Sequence, residues 1–78
     1  MNHDSHPFIG LGRQRRQELL QDARACLTNK EPLPSHRDYA MRWEIETPDA
    51  ARVIRRTRQL GLLTTERRAG RNYVVRVG

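Results

Sequence analysis

Arginine is the residue type in this sequence that points most clearly to a binding chemistry, and it is unevenly distributed. Fourteen of the fifteen basic residues are arginines. Residues 52–78 contain eight of them against one acidic residue, a net charge of +7, whereas residues 1–51 have a net charge of −1. A planar guanidinium group donates paired hydrogen bonds to phosphate oxygens and base edges. This segregation predicts a face that binds a polyanion; the alternative is a solvated basic surface that only keeps the domain soluble.

The other polar residues form no pattern that predicts catalysis or metal binding. The sequence has no paired carboxylates, no Ser-His-Asp or Cys-His arrangement and no glycine-rich phosphate loop. His3 and His6 lie in the N-terminal segment, without a cysteine or acidic partner at metal-ligand spacing. We therefore expect a binding protein rather than an enzyme, with no metal and no cofactor.

The length limits the chain to one small domain. Seventy-eight residues, of which 36% are hydrophobic, allow only a thin core made by a few amphipathic faces. No apolar run approaches the roughly 20 residues of a membrane span, and residues 1–10 do not resemble a secretion signal. Cys26 has no second cysteine with which to pair. We expect a cytoplasmic protein with a reduced thiol and no membrane contact.

The first half of the chain predicts a helix behind a flexible arm at residues 1–9. From Arg13 to about Asn29, apolar residues recur at helical spacing, which is typical of a helix with one buried face. The apolar face comprises Leu19, Leu20, Ala23, Cys26 and Leu27. The exposed side comprises Arg15, Arg16, Gln17, Asp22 and Arg24. Pro32 and Pro34 end this helix.

Ser35 and Asp38 have the spacing of a capping box and predict the start of a second helix. This helix runs to about Trp43 and buries Tyr39, Ala40 and Trp43. A tryptophan can also anchor a protein partner, but its helical core position favours burial.

Thr47 and Pro48 predict the start of a third helix, with a hydroxyl cap followed by proline at the first helical position. The helix runs to about Leu60, and Gly61 supplies a left-handed stop. Its apolar face comprises Ala50, Val53, Ile54, Thr57 and Leu60. The opposite side comprises Arg52, Arg55, Arg56 and Gln59.

After Gly61 the apolar period changes from helical to alternating, which predicts two strands at residues 62–67 and 73–77. The connection contains Gly70 and Asn72, which both tolerate the positive φ of a hairpin turn. Tyr73, Val75 and Val77 are expected to pack one face of this ribbon on the helices.

Three helices followed by a basic hairpin predict an α+β, mostly α, winged helix-turn-helix at residues 10–78. A helix about 10–12 Å across fits the major groove of DNA. We expect residues 48–60 to enter that groove and the wing, residues 64–76, to follow the backbone. Cations then release counterions from phosphate, while contacts to base edges give specificity.

Several motifs within residues 33–71 occur together in one known family. They are Leu33-Pro34-Ser35-His36-Arg37-Asp38-Tyr39-Ala40, Ile45, Val53-Ile54, Gly61-Leu62-Leu63 and Gly70-Arg71. The sequence thereby resembles the DNA-binding domain of GntR-type transcription regulators over more than half of its length. The resemblance implies a winged helix that regulates transcription. It also implies that Ser35 and Arg37 hold a DNA phosphate, with Gly70 and Arg71 at the wing tip.

Five positions depart from that family's pattern. The family has serine where this chain has Glu46, and often arginine where it has Thr47. It has threonine at the position of Asp49, and an arginine that contacts base or phosphate at the position of Ala51. Asn72 stands in place of the second wing glycine. Glu46 and Asp49 would repel phosphate and accept only from donors such as cytosine N4; alternatively, they only complement the dipole of their helix. The family's usual operator is therefore not transferred to this chain.

The resulting prediction is a sequence-specific regulator that binds double-stranded DNA, of the kind that phages and mobile elements carry. Arg52, Arg55 and Arg56 are expected to replace part of the lost base contacts. The predicted DNA-binding residues are Ser35, Arg37, Thr47, Asp49, Arg52, Arg55, Arg56, Gln59, Arg67, Arg68, Gly70, Arg71 and Asn72. Because the family's effector domain is not found in this sequence, we expect no small-molecule effector. A homodimer would use the first helix or the wing.

The alternative function is a winged-helix module that binds an acidic protein partner. Glu46 and Asp49 at the start of the third helix weaken the surface that binds DNA in the family this chain resembles. The basic hairpin can also bind an acidic protein. RNA is a weaker option because only Trp43, Tyr39, Tyr73 and Phe8 could stack on bases, and at least two of them are needed in the core. A steep loss of duplex binding with added salt would favour DNA over a protein partner.

Overall fold

The structure of this chain, a computed structural model, describes residues 7–78, with side chains from residue 12 onward. Its elements are α1 (Pro7–Asn29), α2 (His36–Trp43), α3 (Thr47–Gln59), β1 (Leu63–Arg68) and β2 (Arg71–Val77). The two strands form one antiparallel hairpin. The predicted fold class is confirmed: this is an α+β, mostly helical, winged-helix-like arrangement.

The first helix begins earlier than its apolar stripe predicts. α1 includes Pro7, so residues 7–9 of the predicted arm are helical. Proline fits the first turn of a helix because its missing N–H has no helical partner there. His3 and His6, with the rest of residues 1–6, lie outside the described residues. None of the helices in the described part of the chain is long and apolar enough to cross a membrane.

One hydrophobic core lies between the three helices and the hairpin. It comprises Leu19, Ala23, Leu33, Tyr39, Ala40, Ala50, Ile54, Leu63 and Val74. Trp43 is half-buried against this cluster, and its ring stacks on Tyr39 with centroids 4.7 Å apart. The prediction that Leu27 and Leu60 are buried is wrong, since their exposed fractions are 41% and 45%. Each lies at the end of its helix and at the edge of the buried stripe, so it extends beyond the core.

Asp22 joins α1 to α2, although the helical pattern predicts it on the exposed side. The Tyr39 hydroxyl and the Arg42 guanidinium each donate a hydrogen bond of 2.6 Å to Asp22 Oδ2. Burial, together with the bond to Asp22, raises the pKa of Tyr39 well above its usual value. The bond to Asp22 likewise raises the pKa of Arg42. These bonds orient α2 on α1 and leave the start of α2 at the surface.

The capping signals are right for α2 and off by one residue for α3. Ser35 Oγ accepts from the Asp38 N–H and Asp38 Oδ2 accepts from the Ser35 N–H, both at 3.1 Å, which confirms the capping box. The N-cap of α3 is Glu46 rather than Thr47, and its side chain makes no capping bond. Pro48 therefore occupies the second helical position, where its missing N–H is equally harmless.

The C-terminal stop of α3 is confirmed. Gly61 has a φ of +77°. Its N–H donates to the Arg58 carbonyl at 2.9 Å, and the Leu62 N–H donates to the Thr57 carbonyl at 3.3 Å. This pair of bonds is a Schellman motif, which turns the chain from α3 into the hairpin.

The hairpin turn is shorter than predicted. The strands extend to Arg68 and Arg71, which face each other, so the turn consists of Ala69 and Gly70 alone, with φ of +51° and +77°. Two consecutive residues with positive φ suit the right-handed twist of the strands. Asn72, predicted as a turn residue, is instead paired with Arg67 in β2.

A β-bulge exchanges the expected burial of Val74 and Val75 in β2, while Val77 packs against the core as predicted. Val75 has no partner, because Val74 pairs with Thr65 and Arg76 pairs with Thr64. As a result Val74 is buried and Val75 is 50% exposed, whereas the alternating pattern predicts Val75 inside. The hairpin is anchored beside α2 because the Leu33 N–H donates to the Asn72 carbonyl at 2.8 Å.

Candidate nucleic-acid interface

A groove of about 760 Å³ lies between the start of α2, the first residue of α3 and the hairpin turn. We call it the wing groove. It is lined by Pro32, Leu33, Pro34, Ser35, His36, Arg37, Asp38, Thr47, Arg67, Gly70, Arg71 and Asn72. Seven of the thirteen predicted DNA-binding residues meet here: Ser35, Arg37, Thr47, Arg67, Gly70, Arg71 and Asn72. These residues come from three separate segments of the chain.

The α2 side of the wing groove is formed by a capped helix start. The capping box fixes the backbone at Ser35, and Arg37 follows at the second helical position, where it is exposed. The first N–H groups of a helix lack helical partners and carry the positive end of its dipole, which favours an anion. Asp38 opposes this effect only in part, because its carboxylate accepts the Ser35 N–H.

The opposite side of the wing groove is formed by the hairpin. Its tight turn holds Arg67 and Arg71 at the same end of the ribbon, and both side chains are exposed. Arg37, Arg67 and Arg71 make no ion pair with any side chain that the structure describes. The wing groove is thus lined by three exposed arginines beside a helix start, with Arg67 and Arg71 projecting from opposite faces of the ribbon at its tip. Arginines next to a helix start are a chemistry suited to phosphate oxygens.

Arg68 is a predicted site residue that lies elsewhere. Its side chain donates to Glu66 at 3.0 Å and its guanidinium carbon lies 4.4 Å from the centre of the Tyr73 ring. Together with Tyr73 it lines a separate cleft near Cys26. Burial, with the nearby charges of Asp22 and Glu31, raises the pKa of Cys26, so its thiol is held in the protonated form.

The predicted residues of α3 are divided between two flanks of the helix. At about 100° per residue, Arg55 lies about 80° around α3 from Thr47, whereas Arg52 lies about 140° and Arg56 about 180° away. Of these three, Arg55 is nearest in angle to the wing groove, although it does not line any of the described grooves, and Arg56 is on the opposite flank. Gln59 is exposed and lines none of the grooves found in the described part of the chain.

The other flank of α3 forms a second groove, of about 470 Å³, with α1. We call it the α1–α3 groove. It is lined by Gly12, Arg15, Arg16, Ile45, Asp49, Arg52, Val53, Arg56 and Thr57. Arg15 and Arg16, predicted on the exposed side of their helix, are half-buried here. The sequence pattern missed them as site residues because it carries no information on which flank of α1 meets α3.

Within the described residues, no group of three histidine, cysteine or acidic side chains is positioned to hold a metal ion. Comparison with known proteins finds no family model, no curated protein and no solved structure that matches this chain.

Proposed function

We propose that this chain is a winged-helix regulator that binds double-stranded DNA, of the GntR-like type that its sequence resembles. One observation carries the proposal: Arg37 from α2 and Arg67 and Arg71 from the hairpin line one groove at the capped start of α2, without carboxylate partners among the described side chains. Each of these groups can release a counterion from the phosphate backbone. Such a role also agrees with the predicted cytoplasmic location.

The proposed docking puts one DNA strand in the wing groove and the start of α3 in the major groove. Thr47 lines the wing groove and Arg55 lies on the adjoining flank of α3, so a backbone seated there brings Arg55 toward the bases. Asp49 is less repulsive than its charge suggests, because its carboxylate accepts from Arg52 at 3.3 Å. Glu46 remains exposed and favours a cytosine N4 donor over phosphate.

Selection of bound duplexes from a random pool tests this function. We expect enrichment of one motif by the unaltered chain. Arg55→Ala should lose about 1–3 kcal/mol of affinity for that motif and relax base preference at one position. Arg37→Ala should weaken all duplexes alike, because a phosphate contact carries no sequence information. Arg24→Ala, an exposed arginine outside all three grooves, is the control. Failure to enrich any motif, with no duplex binding at low salt, would reject the proposal.

A further inference from the structure

The α1–α3 groove differs from the wing groove in having an apolar floor. Ile45 and Val53 are half-buried on that floor and pack where α3 meets the connection from α2. The rim consists of four arginines, Arg15 and Arg16 on α1 and Arg52 and Arg56 on α3. A volume of about 470 Å³ is within the range of clefts that hold small ligands or a few side chains.

The charge of this rim is poorly compensated. Asp49 is the one acidic residue among the described side chains that line the groove, and its carboxylate is shared with Arg52 at 3.3 Å while both side chains stay exposed. Arg15, Arg16 and Arg56 form no ion pair with the described side chains. Arg52 and Arg56 are one helical turn apart, a spacing at which like charges repel. An anionic partner would relieve this repulsion.

The apolar floor favours a peptide over a second DNA contact. A sugar-phosphate backbone offers only the small apolar surface of its deoxyribose rings to cover Ile45 and Val53, whereas a peptide can supply a whole apolar side chain next to its carboxylates. Arg15 and Arg16 are half-buried, so their aliphatic stems extend the apolar wall while their guanidinium groups reach the rim. Arg56 also lies about 180° around α3 from Thr47, and therefore away from the wing groove.

We propose that the α1–α3 groove is a second binding site, which takes an acidic, amphipathic segment of a partner protein. An apolar side chain of that segment packs on Ile45 and Val53, and flanking carboxylates accept paired hydrogen bonds from the arginine rim. The site does not depend on DNA binding and leaves the wing groove open. A regulator with both sites can hold an acidic protein beside a duplex.

The test is selection of a random library of short displayed peptides against the full chain, followed by binding measurements with the enriched peptides. We expect them to combine an apolar residue with several aspartates or glutamates, and to shift the NMR signals of Ile45 and Val53. The double variant Arg15→Glu, Arg16→Glu should bind them at least about tenfold more weakly. The matched variant Arg37→Glu, Arg71→Glu makes the same change in net charge within the wing groove and should retain peptide binding.

Duplex binding by the same two variants separates the two proposals. Charge reversal in the wing groove should abolish duplex binding, while charge reversal at Arg15 and Arg16 should preserve it. Circular dichroism verifies that both variants are folded. The inference is overturned if no peptides are enriched, if the enriched peptides are not acidic, or if the α1 variant binds them undiminished. It is equally overturned if that variant loses duplex binding as steeply as the wing variant, because the α1–α3 groove then belongs to the DNA surface.

Discussion

The salt dependence of duplex binding gives the sharpest test of the phosphate contacts proposed for the wing groove. Arg37, Arg67 and Arg71 are its three arginines. Each phosphate contact contributes about 0.9 to the slope of log K against log salt concentration, so the three together contribute about 2.7. Substitution of all three by alanine should reduce the steepness of that slope by this amount.

A fourfold rise in salt makes the expected difference easy to measure. Between about 50 and 200 mM salt, three phosphate contacts account for roughly a 40-fold loss of affinity. The unaltered chain should show this loss in addition to that from its other contacts, and the triple variant should not. Fluorescence anisotropy with a labelled duplex, repeated at several salt concentrations, gives both slopes.

The control is a second triple variant with the same change in net charge. Arg13, Arg24 and Arg76 are exposed and line neither the wing groove, the α1–α3 groove nor the cleft near Cys26. Their substitution by alanine should leave the slope nearly unchanged, because long-range attraction without contact releases few counterions. If both triple variants flatten the slope equally, net charge rather than the wing groove determines duplex binding, and the proposed docking is wrong.

Three further predictions concern the elements that support the wing groove, and chemical denaturation measures each of them. Asp22→Ala should lower the free energy of unfolding by about 1–3 kcal/mol, because the buried Tyr39 hydroxyl loses its acceptor. Tyr39→Phe should cost less, because it leaves no buried donor without an acceptor, and an unchanged free energy of unfolding in both variants would show that the bond does not matter. Ser35→Ala removes the cap of α2 and should cost about 1 kcal/mol, unless water replaces the cap fully. Glu44 has a φ of +56°, so Glu44→Gly should raise the free energy of unfolding by about 0.5–1 kcal/mol; a decrease would mean that its left-handed conformation is not strained.

The parts of the fold that were predictable from the sequence are those that depend on short-range signals. The capping box of Ser35 and Asp38, the amphipathic pattern of α3 and the stop at Gly61 each involve residues within one or two helical turns. Local conformation and burial agree at these positions, so the pattern alone gives the element. Ser35, Arg37, Gly70 and Arg71, which line the wing groove, are singled out as site residues by the family resemblance rather than by these local signals.

The features that the sequence could not supply depend on contacts between distant segments. Asp22 has the position of an exposed residue on α1, and only the packing of α2 brings Tyr39 and Arg42 to its carboxylate. Val75 has the position of a buried strand residue, and only the pairing of β2 with β1 shows the bulge that exposes it. Neither the contacts of Asp22 with α2 nor the bulge between the two strands is visible in a sequence pattern that extends over a few residues.

The two exposed flanks of α3 lead to a prediction about adjacent arginines. Arg55 and Arg56 are both exposed, and a pattern of apolar residues assigns them to the same outward side. In the fold, α1 covers one flank of α3 and the hairpin lies beside the other, so Arg56 lines the α1–α3 groove while Arg55 faces toward the wing side. Arg55→Ala should therefore weaken binding to the selected duplex, and Arg56→Ala should weaken binding to the selected acidic peptides.

This pair of variants is its own control, since each removes one arginine from neighbouring positions and changes the net charge equally. Both binding constants are measured for both variants at one salt concentration. Losses of similar size for the duplex in both variants would mean that α3 presents one continuous DNA surface, and the division into two grooves would have no functional meaning. Crossed losses would show that the pitch of one short helix, set between α1 and the hairpin, separates the two binding activities.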